Sequence, residues 1–446
     1  MASAAEQLAA NMSFGNFSKA TELKQRIWFT LGALIVYRLG TYVPLPGINP
    51  AAYAQAFDQQ SQGVLGLFNM FAGGAVERLA IFALGIMPYI SASIIMQLMT
   101  SSVPTLQALK KEGAQGQKVI NQYTRYGTVI LGTLQAYGIA VGLESGTNIV
   151  ADPGWFFRLS TVLSLVGGTM FLMWLGEQIT ARGVGNGISL IIFAGIAAAL
   201  PGAVVQLLQQ GAAGVVSTPI VIGVLVMMIV LIAAIVFVER AQRRLLVQYP
   251  KRQVGMKMFQ GDSSHLPLKL NTAGVIPPIF ASSLLLLPLT LSSFAASETL
   301  PGWLSAIAAT LGRGQPAYLI LYALLIVFFA FFYTSLVFNP TETADNLKKQ
   351  GGFIPGIRPG ERTAEYIDKV LTRITCVGAL YLVIVCLIPE VFLSNIGISA
   401  FLGGTSLLIM VSVPMDTIQQ VQGHLLAHQY EGLVKKTKLR GGKKRR

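Results

Sequence analysis

Long, unbroken runs of apolar residues recur along the chain, with shorter polar segments between them. Continuous rather than alternating apolarity predicts helices, and about 20 such residues are enough for a helix to cross the hydrocarbon core of a membrane. Spans must be helices or closed barrels there, because no water is present to satisfy backbone groups. The pattern predicts ten helical spans, at residues 27–43, 79–100, 126–143, 155–175, 187–207, 215–238, 273–291, 317–338, 370–388 and 400–418.

One apolar stretch fits none of these spans. Residues 64–76 read VLGLFNMFAGGAV, hold no charge and are too short to cross a membrane. Apolar runs of this length are often re-entrant, and irregular backbone at membrane depth persists only inside protein or beside a water-filled cavity. We therefore expect a short helix of about two and a half turns, with Gly73 and Gly74 as a hinge into span 2. An interfacial helix outside the pore is the alternative.

Two long polar segments interrupt the second half of the chain, at residues 239–270 and 339–369. The first has some β character, whereas the second places Gly and Pro at turn positions around Arg358. We divide the chain into an N-terminal segment, a first half with spans 1–5, a second half with spans 6–10 and a basic tail, at residues 1–26, 27–207, 208–420 and 421–446.

Composition agrees with a membrane protein, since 53% of residues are hydrophobic and only 12% are charged, against about 25% in soluble domains. The net charge is +14. If the N-terminus lies inside, inner segments hold all 33 lysines and arginines except Arg38, Arg78, Arg158 and Arg313. The positive-inside rule then predicts that both termini are cytoplasmic. No cleavage site follows span 1, so we expect no removable signal peptide.

Ionisable residues within the membrane are functional candidates by default. Arg38 lies in the outer third of span 1, where it can snorkel to the interface, and Glu177, Glu239 and Asp416 lie near inner ends. The middle of the spans holds no Asp, Glu, Lys or His. This argues against a polytopic secondary transporter, which needs a titratable group at the midplane and is the main alternative.

Neither catalysis nor a metal or cofactor is expected. The spans contain no catalytic dyad, which argues against an intramembrane transferase or protease. His424 and His428 are four residues apart and are better read as a surface pair than as metal ligands. Cys376 and Cys386 lie on different sides of one helix, so they cannot form a disulfide.

A pore lined by apolar side chains remains possible, because a hydrophobic constriction can gate by excluding water. Ile86 and Ile90 are four residues apart in span 2 and so share a helix face, as do Ile188 and Ile192 in span 5. Each pair is equally explained by ordinary packing.

Several long motifs resemble the SecY/Sec61-alpha family of protein-conducting channels, and the resemblance runs from about residue 14 to 432. They are IFALGIMPYISASIIMQLMT (81–100), TRYGT (124–128), GTMFLMWLGEQITARGVGNGISLIIFAGI (168–196), HLPLKLNTAGVIPPIFASS (265–283), FNPTETADNLKKQGGFIPGIRPGERTAEYIDKVLTR (338–373) and GGTSLLIM (403–410).

The resemblance implies an all-α polytopic membrane protein. Its two pseudo-symmetric five-helix halves would form a clamshell around a central hourglass pore, closed by a short re-entrant plug helix. Such a channel translocates unfolded preproteins across the cytoplasmic membrane and releases transmembrane segments laterally into the bilayer. The SecA ATPase or the translating ribosome supplies the drive.

The resemblance also implies roles for particular residues. The pore ring is Ile86, Ile90, Ile188, Ile192, Ile279 and Ile409, and the plug contains Leu65, Leu67, Phe68, Asn69, Met70, Phe71, Gly73 and Gly74. The lateral gate lies between spans 2–3 and 7–8, where Gln97 and Asn186 match the seam. Ordinary hydrogen bonding between helices is compatible with both amides.

The implied partners are the SecE and SecG subunits, SecA, the ribosome, signal sequences, nascent preproteins and membrane lipids, including anionic ones. Basic residues in the inner loops would meet ribosomal RNA phosphates or SecA, although membrane topology alone explains most of them. The candidates are Arg243, Arg244, Lys251, Arg252, Lys348, Lys349, Arg358 and Arg362. Arg358 is the exception, because GIRPGERT matches a functionally important family motif. The implied location is the bacterial inner membrane.

Overall fold

A computed structural model describes residues 21–60, 64–145, 149–249, 252–254, 257–259, 263–294, 310, 315–396 and 403–441. The helices of the first half are α1 (Thr21–Gly40), α2 (Pro50–Gln60), α3 (Val64–Phe71), α4 (Met87–Ser102), α5 (Pro104–Lys111), α6 (Ala114–Ser145), α7 (Trp155–Arg182) and α8 (Gly187–Ala212). Five of them, α1, α4, α6, α7 and α8, correspond to the predicted spans 1–5.

The second half contains α9 (Thr218–Arg240), α10 (Ile276–Phe294), α11 (Pro316–Val337), α12 (Pro340–Lys349), α13 (Glu361–Ile396) and α14 (Gly404–Gly441). Four short strands lie between α9 and α10, namely β1 (Gln242–Gln248), β2 (Arg252–Val254), β3 (Lys257–Phe259) and β4 (Ser263–Lys269). Spans 6–10 correspond to α9, α10, α11, α13 and α14.

Six helical stretches among the described residues are long and apolar enough to cross a membrane on length and hydropathy alone. They are Ala114–Glu144, Trp155–Arg182, Gly187–Ala212, Thr218–Arg240, Pro316–Lys349 and Glu361–Leu393. The other four predicted spans fall on α1, α4, α10 and α14, which are either short or polar at one end.

Span 2 begins later than the apolar pattern predicts. Its helix starts at Met87, and residues 79–86 form turns instead. Leu79 accepts a backbone hydrogen bond from Leu45 N, and Ile81 N donates to Val43 O at 2.9 Å. Gly85, with φ +55°, turns the chain into α4. Apolar content alone therefore overestimated the helix, because these backbone groups find partners in the segment that follows α1.

The helices pack as two bundles. In the first, α6 contacts α4 and α7, and α7 contacts α1 and α8; in the second, α11 contacts α10 and α13, and α14 contacts α9 and α13. On one side the bundles meet where α10 packs against α4 and α6, and on the other where α14 packs against α8 and α1. The short helix α3 lies between α8 and α10.

The two polar loops form one unit. Strands β1 and β4 pair antiparallel from Gln242↔Lys269 to Gln248↔Ser263. Gln248 and Phe353 then exchange two backbone hydrogen bonds of 2.8 and 2.9 Å. A separate buried cluster, Leu245, Leu268, Ile354, Ile367 and Ile374, lies beneath this junction. We call β1, β4 and residues 351–357 the loop platform.

Candidate pore and plug

Helix α3 lies inside the protein. Phe68, Asn69, Met70 and Phe71 are each only 2–3% exposed. The helix contacts α8 on one side and α10 on the other, so both bundles surround it. The side chains of Leu65 and Leu67 lie outside the described residues. This position differs from that of an interfacial helix at the protein surface.

Asn69 ties α3 to the turn that follows it. Its Oδ1 accepts hydrogen bonds from the backbone N–H groups of Val76 and Glu77, each at 3.1 Å. Its own carbonyl accepts from Gly74 N at 3.0 Å. Gly73 and Gly74 have φ values of +67° and +83°, which glycine adopts without steric cost. This role of Asn69 was not among the predictions from the sequence, although a lone amide in an apolar segment signals a buried hydrogen-bonding residue.

All six isoleucines of the predicted ring belong to the central hydrophobic core. Five are at most 5% exposed, and Ile188 is half-buried against the same core. They come from α4, α8, α10 and α14, with Ile86 just before α4. Four of them line one cavity of about 200 Å³, which we call the isoleucine cavity: Ile90, Ile188, Ile192 and Ile279.

A second, larger cavity of about 450 Å³ has a polar lining, and we call it the polar chamber. In its wall, Lys269 Nζ contacts Asp416 Oδ1 at 3.3 Å and Gln419 Oε1 at 3.0 Å. Asn271 Nδ2 donates to Glu239 Oε1 at 2.7 Å. The two cavities share four lining residues, so they adjoin each other: Asn186, Ser189, Ile276 and Tyr333.

Gln97 and Asn186 both line the isoleucine cavity, but they do not bond to each other. Asn186 caps α8, because its Oδ1 accepts from Ile188 N at 3.1 Å and Ser189 N at 3.5 Å. It therefore belongs to none of the four helices of the predicted seam and only reaches the cavity beside it. Gln97 lies on α4 and donates to Ser93 Oγ at 3.4 Å, whereas its buried Oε1 has no partner.

Most of the predicted docking residues are exposed on or beside the loop platform: Arg243, Arg244, Lys348, Lys349, Arg358 and Arg362. Lys251 and the side chain of Arg252 lie outside the described residues. The Arg358 carbonyl accepts from Thr363 Oγ1 at 2.9 Å, which fixes the turn before α13. Within the described part of the chain, no group of three His, Cys, Asp or Glu side chains could hold a metal ion.

Residues 80–418 match a family model described as SecY. Relatives named "Protein translocase subunit SecY" include that of Vibrio cholerae, 55% identical over 95% of this chain and 96% of the relative. Another, from Pseudomonas aeruginosa, is 56% identical over 94% of this chain and 95% of the relative. The Escherichia coli K12 relative is 54% identical, covering 94% of this chain and 96% of its own length.

Solved structures share the fold at lower identity. One described as "The structure of a protein conducting channel" has a TM-score of 0.66 and 18% identity, covering 90% of this chain and 92% of the other. A second, on how the plug domain stabilises the closed state and maintains a membrane seal, has a TM-score of 0.63 and 19% identity over the same shares. Canine Sec61 in a ribosome–channel complex also has a TM-score of 0.63, with 17% identity and the same coverage.

If α3 seals the channel, replacing Asn69 by Ala should loosen that seal. The change leaves the backbone amides of Val76 and Glu77 without their acceptor, and the buried Val76 amide alone costs about 1–3 kcal/mol when unsatisfied. We expect higher resting ion conductance through the purified protein in planar bilayers. Asn121→Ala, at an exposed site on α6, is the control. Conductance equal to that of wild type and control would contradict the role.

Replacing both Ile192 and Ile409 by Gly should open the apolar constriction. Removing two buried isoleucine side chains leaves space that water can enter, so ions keep more of their hydration shell on passage. We expect increased ion leak and looser selection of signal sequences, measured by conductance and by export of a substrate with a defective signal. Val226→Gly, on an exposed face of α9, is the control. Unchanged conductance in the double variant would remove both residues from the ring.

Proposed function

The chain belongs to the SecY family and is a multi-pass membrane protein that forms a protein-conducting channel, and we propose a path through it for the passing chain. Unfolded preproteins enter the polar chamber, pass the isoleucine cavity and displace α3, while transmembrane segments leave sideways into the bilayer. One observation carries this path. The polar chamber and the isoleucine cavity share four lining residues, and α3 packs against α8 and α10, which supply four of the cavity's isoleucines.

The lining suits a seal that has to accept many sequences. Aliphatic side chains offer an ion no replacement for its hydration shell, so a constriction made of them resists ions. They also form no directional bonds with a passing polypeptide, so no particular sequence is held. We therefore propose the six isoleucines as the pore ring and α3, with the turn after it, as the plug.

The lateral exit is proposed at the junction of α10 with α4 and α6. One side-chain contact across it is Ser283 Oγ to Met87 Sδ at 3.8 Å, and a thioether is a weak acceptor. The opposite junction is more polar, since Gly185 N donates to Gln420 Oε1 at 3.1 Å. The junction with weaker directional bonding is the one that separates at lower cost. Gln97 Oε1, which lacks a partner, is placed to accept a hydrogen bond as a segment enters.

The same proposal gives the chain an orientation in the membrane and a set of binding partners. The positive-inside distribution of Lys and Arg supports cytoplasmic termini and a cytoplasmic loop platform in the bacterial inner membrane. There the exposed arginines and lysines would meet the ribosome or SecA, with SecE and SecG as companion subunits. One structural neighbour is described as a yeast Ssh1 complex bound to the ribosome, with a TM-score of 0.56, which agrees with such a docking face.

A secondary transporter is disfavoured by the lining of the isoleucine cavity. Its described lining residues are aliphatic, aromatic, hydroxyl or amide side chains, with no Asp, Glu, Lys, Arg or His among them. Coupling to protons or ions needs a titratable or charged group where the substrate binds. The acidic residues Glu177 and Asp416 are paired with Arg125 and Lys269 near helix ends instead.

The channel is tested with proteoliposomes that contain the chain and its companion subunits. A radiolabelled preprotein, with SecA and ATP outside, should become protected from protease, whereas radiolabelled small solutes should not accumulate. A variant in which Ile192 is replaced by Trp narrows the constriction and should slow protection. Solute accumulation without preprotein protection would favour the transporter instead.

Arg358→Glu should impair translocation driven by SecA while the protein still inserts into the membrane. The side chain is exposed directly beside the loop platform, so the reversed charge acts on a docking partner rather than on packing. We expect at least a tenfold lower rate of preprotein protection, which corresponds to about 1.4 kcal/mol. Lys118→Glu, an exposed charge reversal on α6 away from the platform, is the matched control. Normal export by Arg358→Glu would refute the role.

A further inference from the structure

The turn after α3 is held by two side chains from the end of α1. Arg38 Nη1 donates to the carbonyl oxygen of Gly73 at 2.9 Å. Tyr37 Oη donates to the carbonyl oxygen of Ala72 at 3.4 Å and is only 1% exposed. These carbonyls lie just beyond the last residue of α3, at the end of a helix where positive charge is favoured. Arg38 thus caps the plug helix from a neighbouring span.

The same turn lies directly on α8. A Cβ placed on Gly73 would lie 2.8 Å from the Cα of Gly195, and one placed on Gly195 would lie 2.9 Å from the Cα of Gly73. The two backbones therefore meet at their glycines, and the Tyr37 hydroxyl lies against both of them. Such a close fit exists only while α3 occupies this seat, because any displacement of the turn separates the two glycines.

Arg38 is fixed in place by an aromatic ring. Its Nη2 donates to Tyr42 Oη at 3.4 Å, and its guanidinium lies 5.6 Å from the centre of that ring. Arg78, which follows the turn, covers the same ring at 4.1 Å. Both arginines are among the four basic residues on the predicted outer side, where positive charge is unusual. Snorkelling accounts for an arginine in this region but not for its bond to the plug turn.

We propose that Tyr37, Arg38 and Gly195 form a latch that holds the plug in its closed seat, with Arg38 as the positioning residue. The proposal rests on the plug role given above and adds what sets the balance between seated and displaced states. When α3 moves, the Gly73 carbonyl leaves with it, whereas Arg38 stays on α1. The bond from Arg38 is thus made in the closed state alone, and its removal favours opening.

The test compares Arg38→Met with Arg38→Lys. Methionine keeps an unbranched stem without donors, whereas lysine keeps a charged donor. A charged hydrogen bond of ordinary strength predicts about a tenfold rise in resting ion conductance for Arg38→Met. Arg38→Lys should restore most of the seal, and Tyr37→Phe should give a smaller rise. Export of a preprotein with a defective signal sequence should increase in Arg38→Met, which a merely misfolded protein would not produce.

Plug position is read independently with a thiol probe. Met70→Cys, in a background of Cys376→Ser and Cys386→Ser, places a buried thiol on α3. A membrane-impermeant maleimide added from outside should label it about ten times faster when Arg38→Met is also present. The matched control is Leu39→Ala, at the adjacent residue of α1, which is 66% exposed. With this change, Met70→Cys should be labelled at the same rate as in the background without it.

Two further outcomes separate the latch from the plug itself. Replacing residues 64–71 by a Gly-Ser linker should raise conductance if α3 is the plug. If that replacement raises conductance but Arg38→Met changes neither conductance nor labelling, the latch is wrong and the plug stands. If the replacement leaves conductance unchanged, the plug role is wrong, and the latch proposal, which depends on it, is wrong as well. Equal effects of Arg38→Met and Arg38→Lys would also overturn the latch, because the donor would then be irrelevant.

Discussion

Backbone polar groups at the centre of this bundle have to find partners inside the protein, because neither lipid nor bulk water can supply them. The region between α3 and α4 is where this demand is hardest to meet, since the chain there is not helical. The backbone of residues 79–81 forms hydrogen bonds with the segment after α1. Asn69 accepts hydrogen bonds from the backbone amides that follow the turn. Arg38 donates a hydrogen bond to the Gly73 carbonyl oxygen within the turn. The irregular backbone around the proposed plug is therefore held by side chains and by a neighbouring segment rather than by a helix.

Apolar contacts and directional bonds are distributed unevenly around the pore. Among the described residues, the isoleucine cavity is lined largely by apolar side chains, and the junction of α10 with α4 includes a weak bond from Ser283 to the Met87 sulfur. On the other side, the Gly185 backbone N–H, just before α8, donates across the junction to the side-chain Oε1 of Gln420 on α14. A pair of bundles bonded in this way can part on one side while it stays joined on the other.

The sequence predicted the features that depend on composition over many residues. Long apolar runs gave the spans, and the charge-free segment 64–76 gave a short buried helix. Contacts between residues far apart in the sequence could not be predicted in this way. The late start of α4 depends on pairing with residues 43–45, and the loop platform depends on Gln248 meeting Phe353. An Asn just before a helix is a typical N-cap, so the capping role of Asn186 could have been predicted from the sequence. The family resemblance assigned this residue to the lateral gate instead.

The loop platform has a mechanical consequence because of where its parts join the helices. Strand β1 follows α9, β4 leads into α10, and the cluster beneath the junction includes Ile367 and Ile374 of α13. A partner bound to the platform therefore acts on three helices of the second bundle at once. Moving that bundle as a unit takes α10 away from α4, α6 and α3 together. In the proposed mechanism, lateral opening and release of the plug are then two results of one displacement, and the proposed latch on α1 is the bond that must still be broken.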